Sequence, residues 1–302
     1  MTKILVVGSI NMDLVVRVSH SPKPGETVLG SDFATFPGGK GANQAVAASR
    51  MGGEVSMVGR VGMDDFGNAL LQELVDNQIR TTHVIKDPTA PTGIAMITVA
   101  PDGENMIVVA SGANGKVSEE DVNDAHSLMG EVDIMLTQME CPLETITAAI
   151  DLADVHNLPV ILNPAPAQPL SKGLLSKVEL LTPNRSELAL LSGEKDLEAG
   201  VNKLRAWGVQ NLVITLGSEG ARVISKDIDL HLPAFKVTAV DTTAAGDAFN
   251  GALAVAIAEG ESLLDAVRYG MAAGALAATK RGAQPSLPTR EEVEALLRAQ
   301  ES

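Results

Sequence analysis

Basic residues, aromatic rings, cysteine and long apolar runs are all scarce in this chain, and each scarcity closes off a class of function. Lys and Arg together number 23 against 38 Asp and Glu, for a net charge of −15. Nucleic acids and anionic bilayers are held by clustered Lys and Arg, so neither an RNA or DNA partner nor a membrane surface is expected. A small phosphate-bearing ligand stays open, because backbone N–H groups and a metal ion can carry its charge. Aromatics make up 2% of the sequence and apolar residues 45%, so the core must be assembled from Ala, Val, Leu, Ile and Met. Cys141 stands alone, which rules out an internal disulfide and suits a reducing cytoplasm. No stretch approaches the roughly 20 apolar residues of a bilayer span. The apolar run over 4–10 is broken by Asn11 and Asp13, unlike a secretory signal, so a cytoplasmic protein is expected. The five His are scattered and show no His-Glu-x-x-His pattern, one cysteine permits no Cys-x-x-Cys, and no Gly-x-Ser-x-Gly elbow occurs. Zinc and serine-hydrolase chemistry therefore lack support.

What is present is an alternation. The short apolar runs "KILVVGS", "DIMLT", "PVILN", "VELLT" and "NLVIT" are bounded by Pro, Gly, Asn or Thr and read as buried strands. Between them, "PLETITAAIDLADVHN" carries Pro in a first-turn position and keeps a helical apolar spacing, and "KDLEAGVNKLRAWG" stops on Gly. Strand and helix in turn predict an α/β domain with a parallel sheet covered on both faces, in one unit over 1–302. Two segments interrupt the rhythm. "LVVRVSHSPKPGETVLGSDFATF" places Pro-Gly turn chemistry between extended stretches, and "TGIAMITVAPDGENMIVVASGAN" reads as two strands about a "PDGEN" hairpin turn. They predict a small β-layer, over about 14–37 and 92–112, that covers a pocket and offers a dimer contact. The stretches 248–258 and 271–278 are apolar all round and predict buried helices. Thr289 followed by Glu292 predicts a capping box on the last helix.

Several stretches can carry chemistry, each with a plainer alternative. "DTTAAGDAFNGALAVAIAEG" is nearly free of charge, yet Asp247 stands where its apolar part begins. A helix starting near Gly246 would point unpaired N–H groups outward, a place for developing negative charge. Asp247 beside them can take a proton from an attacking hydroxyl while the N–H groups hold a phosphoryl group; the plainer reading is a carboxylate that complements the helix dipole. In "FPGGKGANQAVAASRMGG", Gly38, Gly39 and Gly41 let a ligand approach the backbone, with Lys40 and Asn43 able to bond its hydroxyls. The spacing is neither a dinucleotide fingerprint nor a Walker A loop, and a structural turn would look the same. In "GSINMD", Asn11 and Asp13 share one face of extended chain after a strand, where α/β proteins place ligands, though an Asx-type turn also fits. In "TPNRSE", Asn184 and Glu187 share a helix face that can hold Mg²⁺ through waters, though a capping box fits as well. "TLGSEG" (215–220) is a Gly-rich turn that can line a nucleotide pocket or simply reverse the chain.

The order of these stretches says more than any one of them. "GSINMD", "PGGKGANQAVAA", "TPNRSE", "TLGSEG", "DTTAAGDAFNGA" and "KRGAQPS" follow the order of the ribokinase-type (PfkB) carbohydrate kinase family, which the chain resembles over nearly its full length. The resemblance implies a three-layer α/β/α sandwich with a central, mostly parallel sheet and a small β-sheet lid, through which two subunits pair as a homodimer. It implies ATP-dependent, Mg²⁺-assisted phosphorylation of D-ribose at its 5-hydroxyl. Asp247 matches the catalytic base, and Ala244, Ala245 and Gly246 the anion hole. Asn11, Asp13, Gly39, Lys40, Gly41, Asn43 and Glu140 match sugar-binding positions, together with Asp247. Asn184, Glu187, Thr215, Gly217, Ser218, Gly220 and Gly246 match nucleotide-binding positions, with Glu187 in the motif linked to Mg²⁺ and phosphate. A monovalent cation, usually K⁺, is implied at Asp241, Thr243, Ala277, Lys280, Gly282 and Ser286, several of them through carbonyl oxygens. Met271 stands where some members carry a His that touches the nucleotide, and offers adenine only apolar contact. Sibling activities remain as alternatives: a deoxyribokinase, a fructokinase or a nucleoside kinase. So does a different class, a non-catalytic sugar-binding regulator on the same fold. Asp13 and the "GGKGAN" turn favour a small free sugar, since so few aromatics leave a nucleoside little stacking surface.

Overall fold

The short apolar runs become strands because each is flanked by turn-forming residues and buried on both sides. The structure, a computed structural model, describes residues 1–100 and 105–300. Its strands are β1 (Lys3–Val7), β2 (Asn11–Val18), β3 (Gly30–Gly38), β4 (Glu54–Gly62), β5 (Arg80–Asp87), β6 (Gly93–Val99), β7 (Asn105–Ala110), β8 (Ile134–Thr137), β9 (Val160–Leu162), β10 (Leu180–Leu181), β11 (Asn211–Thr215), β12 (Ala221–Ile224) and β13 (Asp229–Leu232). Its α-helices are α1 (Lys40–Arg50), α2 (Asp65–Asp76), α3 (Glu119–Asp124), α4 (His126–Met129), α5 (Leu143–Val155), α6 (Lys172–Leu175), α7 (Arg185–Ser192), α8 (Leu197–Ala206), α9 (Ala245–Ala258), α10 (Leu263–Ala277) and α11 (Arg290–Gln300).

The large sheet runs β13-β12-β11-β10-β9-β8-β1-β4-β5. It is parallel from β11 to β5, and β12 and β13 extend it antiparallel at one edge. Successive residues of β1 point to opposite layers. Ile4 and Val6 pack in a core with α1, α2, α9, α10 and α11. Leu5 and Val7 pack in a second core with α3 to α8. This is the three-layer sandwich, and both cores are almost wholly aliphatic. The apolar stretches late in the chain are the buried helices α9 and α10. A Cβ on Gly251 would stand 2.5 Å from Ala47 Cβ, so the missing side chain lets α9 lie directly on α1. Thr289 and Glu292 form the reciprocal cap expected on α11, with the Thr289 N–H donating to Glu292 Oε2 at 2.8 Å. Among the described residues, no helix is long and apolar enough to cross a membrane.

The small sheet has the order β3-β2-β6-β7. β2 pairs antiparallel with β3 and parallel with β6, and β6 pairs antiparallel with β7. The first two strands take in Asn11 and Gly38, because the ladder runs on until Asn11 meets Gly38. The hairpin turn at "PDGEN" falls largely on 101–104, outside the described residues. β7 is exposed along its whole length, with Met106, Ile107, Val108 and Val109 each about half exposed. The "TLGSEG" turn joins β11 to the antiparallel β12.

Candidate active site

The glycine-rich turn is folded by its own backbone constraints. Gly39 has φ 88°, and a Cβ there would stand 2.6 Å from the Asn11 backbone nitrogen, so only glycine fits. The turn is pinned by Glu140, whose Oε2 accepts from Ser9 Oγ at 2.5 Å and from the Lys40 N–H at 3.0 Å. That carboxylate caps the first turn of α1, where the helix dipole favours negative charge. The passage from β1 into β2 is held by Asn114, which is 1% exposed. It accepts from the Ile10 N–H at 2.8 Å and donates to the Ile10 carbonyl at 3.0 Å and to Asn11 Oδ1 at 2.7 Å. The Asn11 amide is thereby oriented, and among the described residues its NH₂ group meets no acceptor.

Asp247 lies in the first turn of α9 and is 6% exposed. Its Oδ2 accepts from Asn43 Nδ2 at 2.9 Å and its Oδ1 from Gln44 Nε2 at 3.0 Å. The carboxylate is thus turned inward, onto the helix that follows the glycine-rich turn. α9 begins at Ala245, one residue earlier than expected, with Ala244 in the left-handed region at φ 58°. The Ala245 N–H closes that turn by donating to the Thr242 carbonyl at 3.2 Å. Among the described residues, the N–H groups of Ala244, Gly246 and Asp247 have no partner at this helix end.

Five charged side chains, Asp13, Lys40, Glu140, Glu187 and Asp247, act on one another here. Burial pushes the Asp247 carboxyl up, against Lys40 and the Asn43 and Gln44 amides. Asp13 is pushed up to about 7 by burial first and then by Glu140 and Asp247, with Lys40 opposing. Burial alone would lower Lys40, but Asp247, Glu140, Glu187 and Asp13 outweigh it and hold its ammonium above the usual range. A cluster of carboxylates around one ammonium is rich in acceptors, the complement of a ligand that presents several hydroxyl donors. Asn43 Oδ1 is a further acceptor there, buried without a partner.

A second group of residues lies at the ends of β10 and β11. Asn184 and Thr215 form an isolated parallel bridge. Asn184 and Glu187 form the capping box: the Glu187 N–H donates to Asn184 Oδ1 at 2.9 Å and the Asn184 N–H to Glu187 Oε2 at 2.8 Å. Burial raises the Glu187 carboxyl, while the bond from the Asn184 N–H and the Lys40 charge lower it and Asp247 raises it. In the turn that follows, Gly217 and Ser218 are exposed while the Gly220 carbonyl accepts from the Leu216 N–H at 2.8 Å. Met271 is half-buried against the α9–α10 core.

A third group ties the loop before α9 to the loop after α10. Asp241 Oδ1 accepts from the Thr243 N–H at 2.9 Å and from Thr243 Oγ1 at 2.7 Å, and Oδ2 from the Gly282 N–H at 3.0 Å. Burial opposes ionisation of Asp241, but the bonds from Thr243 and Gly282 prevail and hold its carboxyl below the usual range. Lys280 turns its ammonium away to Glu292 at 2.8 Å, and Ser286 Oγ donates to the Ala283 carbonyl at 2.7 Å. The ionised Asp241 carboxylate, held by Thr243 and Gly282, offers hard oxygens of the kind an alkali cation prefers. Among the described residues, no group of three or more His, Cys, Asp or Glu is placed to hold a metal ion.

The site also contains residues that the sequence did not single out. Ser9, Gln44, Asn114, Gln138 and Asn163 are buried polar side chains at the site end of the sheet. The one available signal was polarity out of place: a Gln inside the small-residue helix "GANQAVAA", and an Asn and a Gln at the carboxyl ends of the runs "VILN" and "MLTQ".

Comparison with known proteins adds four observations. The pattern of the pfkB family carbohydrate kinases matches residues 1–290. A ribokinase of Bacillus subtilis (strain 168) is 43% identical over 297 residues, 98% of this chain and 100% of its own. The crystal structure of a ribokinase from Thermotoga maritima superposes with a TM-score of 0.91 at 41% identity, covering 99% of this chain and 100% of that one. An Arabidopsis thaliana ribokinase complexed with ribose and ATP gives a TM-score of 0.90 at 32% identity, covering 99% of each chain.

Proposed function

The chain belongs to the pfkB family of carbohydrate kinases, and on that premise we propose that it transfers the γ-phosphoryl group of ATP to the 5-hydroxyl of D-ribose, with Asp247 as the base. The observation that carries this reading is the placement of Asp247. It is a buried carboxylate in the first turn of α9, gripped from α1 by Asn43 and Gln44 and set beside free N–H groups. In the transfer, the sugar oxygen attacks the γ-phosphorus while its proton passes to Asp247. The bond from that phosphorus to the β–γ bridging oxygen breaks, and ADP leaves. A carboxyl raised by burial is a better base near neutral pH than an exposed one. The charge carried by the moving phosphoryl oxygens is met by the N–H groups of Ala244, Gly246 and Asp247 at the positive end of α9. Phosphoryl transfer asks chiefly for such positioning and charge stabilisation.

The sugar is assigned to the acceptor-rich cluster: Asn11 and Asp13 from β2, the 39–41 turn with Lys40, Asn43, and the remaining oxygen of Glu140. The nucleotide is assigned to Asn184, Glu187, Thr215, the exposed Gly217 and Ser218 and the buried Gly220 that ends their turn, with its phosphates toward Gly246. Mg²⁺ would enter with those phosphates, near Glu187 and through water, because it dehydrates reluctantly and seldom uses an all-protein cage. Asp241, Thr243, Ala277, Lys280, Gly282 and Ser286 fit a monovalent cation such as K⁺, which would stiffen the loop that presents the free N–H groups. The bare apolar strand β7 is assigned to a homodimer contact through the small sheet, because so exposed an apolar edge is a surface that seeks a partner.

The test is an ADP-release assay over a panel of pentoses, hexoses, 2-deoxyribose and nucleosides, with and without K⁺. D-ribose is expected to give the highest kcat/KM. Tight sugar binding without turnover, in the presence of Mg²⁺ and K⁺, would instead identify a regulator.

A further inference from the structure

We infer that Gln44 is a positioning residue for the transfer: its side-chain amide fixes the rotation of the Asp247 carboxylate and couples it to the peptide that carries the Asp247 N–H. The inference rests on Asp247 being the base.

Gln44 is fully buried inside α1, surrounded by the small residues of "GANQAVAA". Every polar hydrogen on it is used. Nε2 donates to Asp247 Oδ1 at 3.0 Å and to Asn163 Oδ1 at 3.1 Å, and Oε1 accepts from Gln138 Nε2 at 2.6 Å. The directions are dictated by the carboxylate. An ionised Asp can only accept, so the NH₂ end of Gln44 must face it. Gln138 must then donate to Gln44 Oε1, and its own Oε1 is left buried with no partner. Gln138 gives up a hydrogen bond to hold Gln44 in one orientation, a sacrifice that core packing alone does not require. A buried amide also costs more than an aliphatic side chain of the same length, so the position is occupied for its hydrogen bonds.

From Asn163 the chain of bonds returns to α9. Asn163 Nδ2 donates to the Thr182 carbonyl at 3.2 Å, Thr182 Oγ1 to Asn250 Oδ1 at 2.6 Å, and Asn250 Nδ2 to the Gly246 carbonyl at 2.8 Å. That carbonyl belongs to the peptide whose other end is the Asp247 N–H. A closed loop of side chains therefore sets the carboxylate and its neighbouring amide donor in fixed relation. Gln44 is the member that touches the carboxylate.

The groups acting on Asp247 are Lys40, Glu140, Asp13 and Glu187, together with the Asn43 and Gln44 amides. With the Gln44 donor removed, burial and Glu140 face less opposition, so Asp247 holds its proton to higher pH. The base form then appears only in more alkaline solution.

The experiment compares the wild-type enzyme with Gln44→Met, which keeps the length and loses the donor, and Gln138→Met, which removes the anchor of Gln44. Initial rates with ribose and ATP are followed from about pH 5 to 9, and ribose KM is measured separately. For Gln44→Met, kcat is expected to fall roughly 10- to 100-fold with KM changed less than about 3-fold, and the acid limb of kcat to move up by about one unit. Gln138→Met is expected to move the limb in the same direction by less. Should Gln44→Met fail to fold, the limb of Gln138→Met decides. An acid limb that stays in place in the folded variant overturns the inference, whatever the loss in kcat, since a merely structural role would lower rate or stability without retuning Asp247. Asp247→Asn separates the two levels: if it keeps wild-type turnover, the base itself is wrongly assigned, whereas an inactive Asp247→Asn beside an unmoved limb removes only the role of Gln44.

Discussion

Asn43 and Asp247, 204 residues apart in the chain, meet at 2.9 Å. The contact joins the helix after the glycine-rich turn to the helix after "DTTAAG". It forms because Gly251 lets α9 settle against α1. The consequences can be tested one at a time.

Asp247→Asn removes the proton acceptor and keeps the shape. Since the native carboxylate is buried, with its charge opposed by burial, the variant should remain folded, with a melting temperature within a few degrees of wild type. Its kcat should fall by roughly 10²- to 10⁴-fold. Wild-type-like turnover would remove Asp247 from the chemistry.

Asp13→Asn should stabilise the ligand-free fold while weakening ribose binding. Burial, with Glu140 and Asp247 beside it, pushes the Asp13 carboxyl up to about 7 in the folded chain, from the ordinary 3.8 of a free aspartate. Between those values the folded state keeps a proton that the unfolded chain has lost, so folding stability falls as pH rises through the window and levels off above it. The Asn variant escapes that loss. Urea unfolding should show an advantage on the order of 1–3 kcal/mol at about pH 8 and much less at about pH 4. A variant less stable than wild type at the higher pH contradicts the assignment.

Gly39→Ala should be severely destabilising. The new methyl would meet the Asn11 backbone at 2.6 Å and the residue would be held at φ 88°. A loss of more than about 2 kcal/mol is expected, read as a lower urea midpoint with unchanged slope. A midpoint equal to wild type would mean that the turn can relax.

Potassium should act through Asp241. Adding K⁺ should raise the melting temperature of the wild-type enzyme and increase kcat roughly tenfold over Li⁺. Asp241→Asn should show neither response. A thermal shift that persists in the variant would place the cation elsewhere.

Much of this architecture was legible in the sequence, for physical reasons. Buried parallel strands must be continuously apolar, so "KILVV" and "NLVIT" announced themselves. Helices buried on all sides must lack polar faces, which exposed α9 and α10. Asn11 and Asp13 were placed on one face by the two-residue period alone, and β2 carries both. What escaped were features set by partners distant in sequence. Gln44 follows Asn43 in "GANQ", but its role depends on Gln138, Asn163 and Asp247 converging on it, which no local pattern encodes. Asn114 lay beyond reach for the same reason, since it acts on Ile10 and Asn11 from 103 residues away or more. The start of α9 was read one residue late because nothing local marks Ala244 as left-handed: a Cβ normally disfavours that conformation, and glycine would have signalled it. Asn184 and Glu187 allowed two readings from spacing, and the reciprocal cap between them occupies only part of what each side chain can offer.

The chain leaves the large sheet at Val7 and enters the small one at Asn11, with only Gly8, Ser9 and Ile10 between. Asn11 and Asp13 therefore travel with the small sheet, while Asp247 belongs to the sandwich. A pentose held by all three, as proposed above, would bridge the small sheet and the sandwich, and would draw on both for its grip.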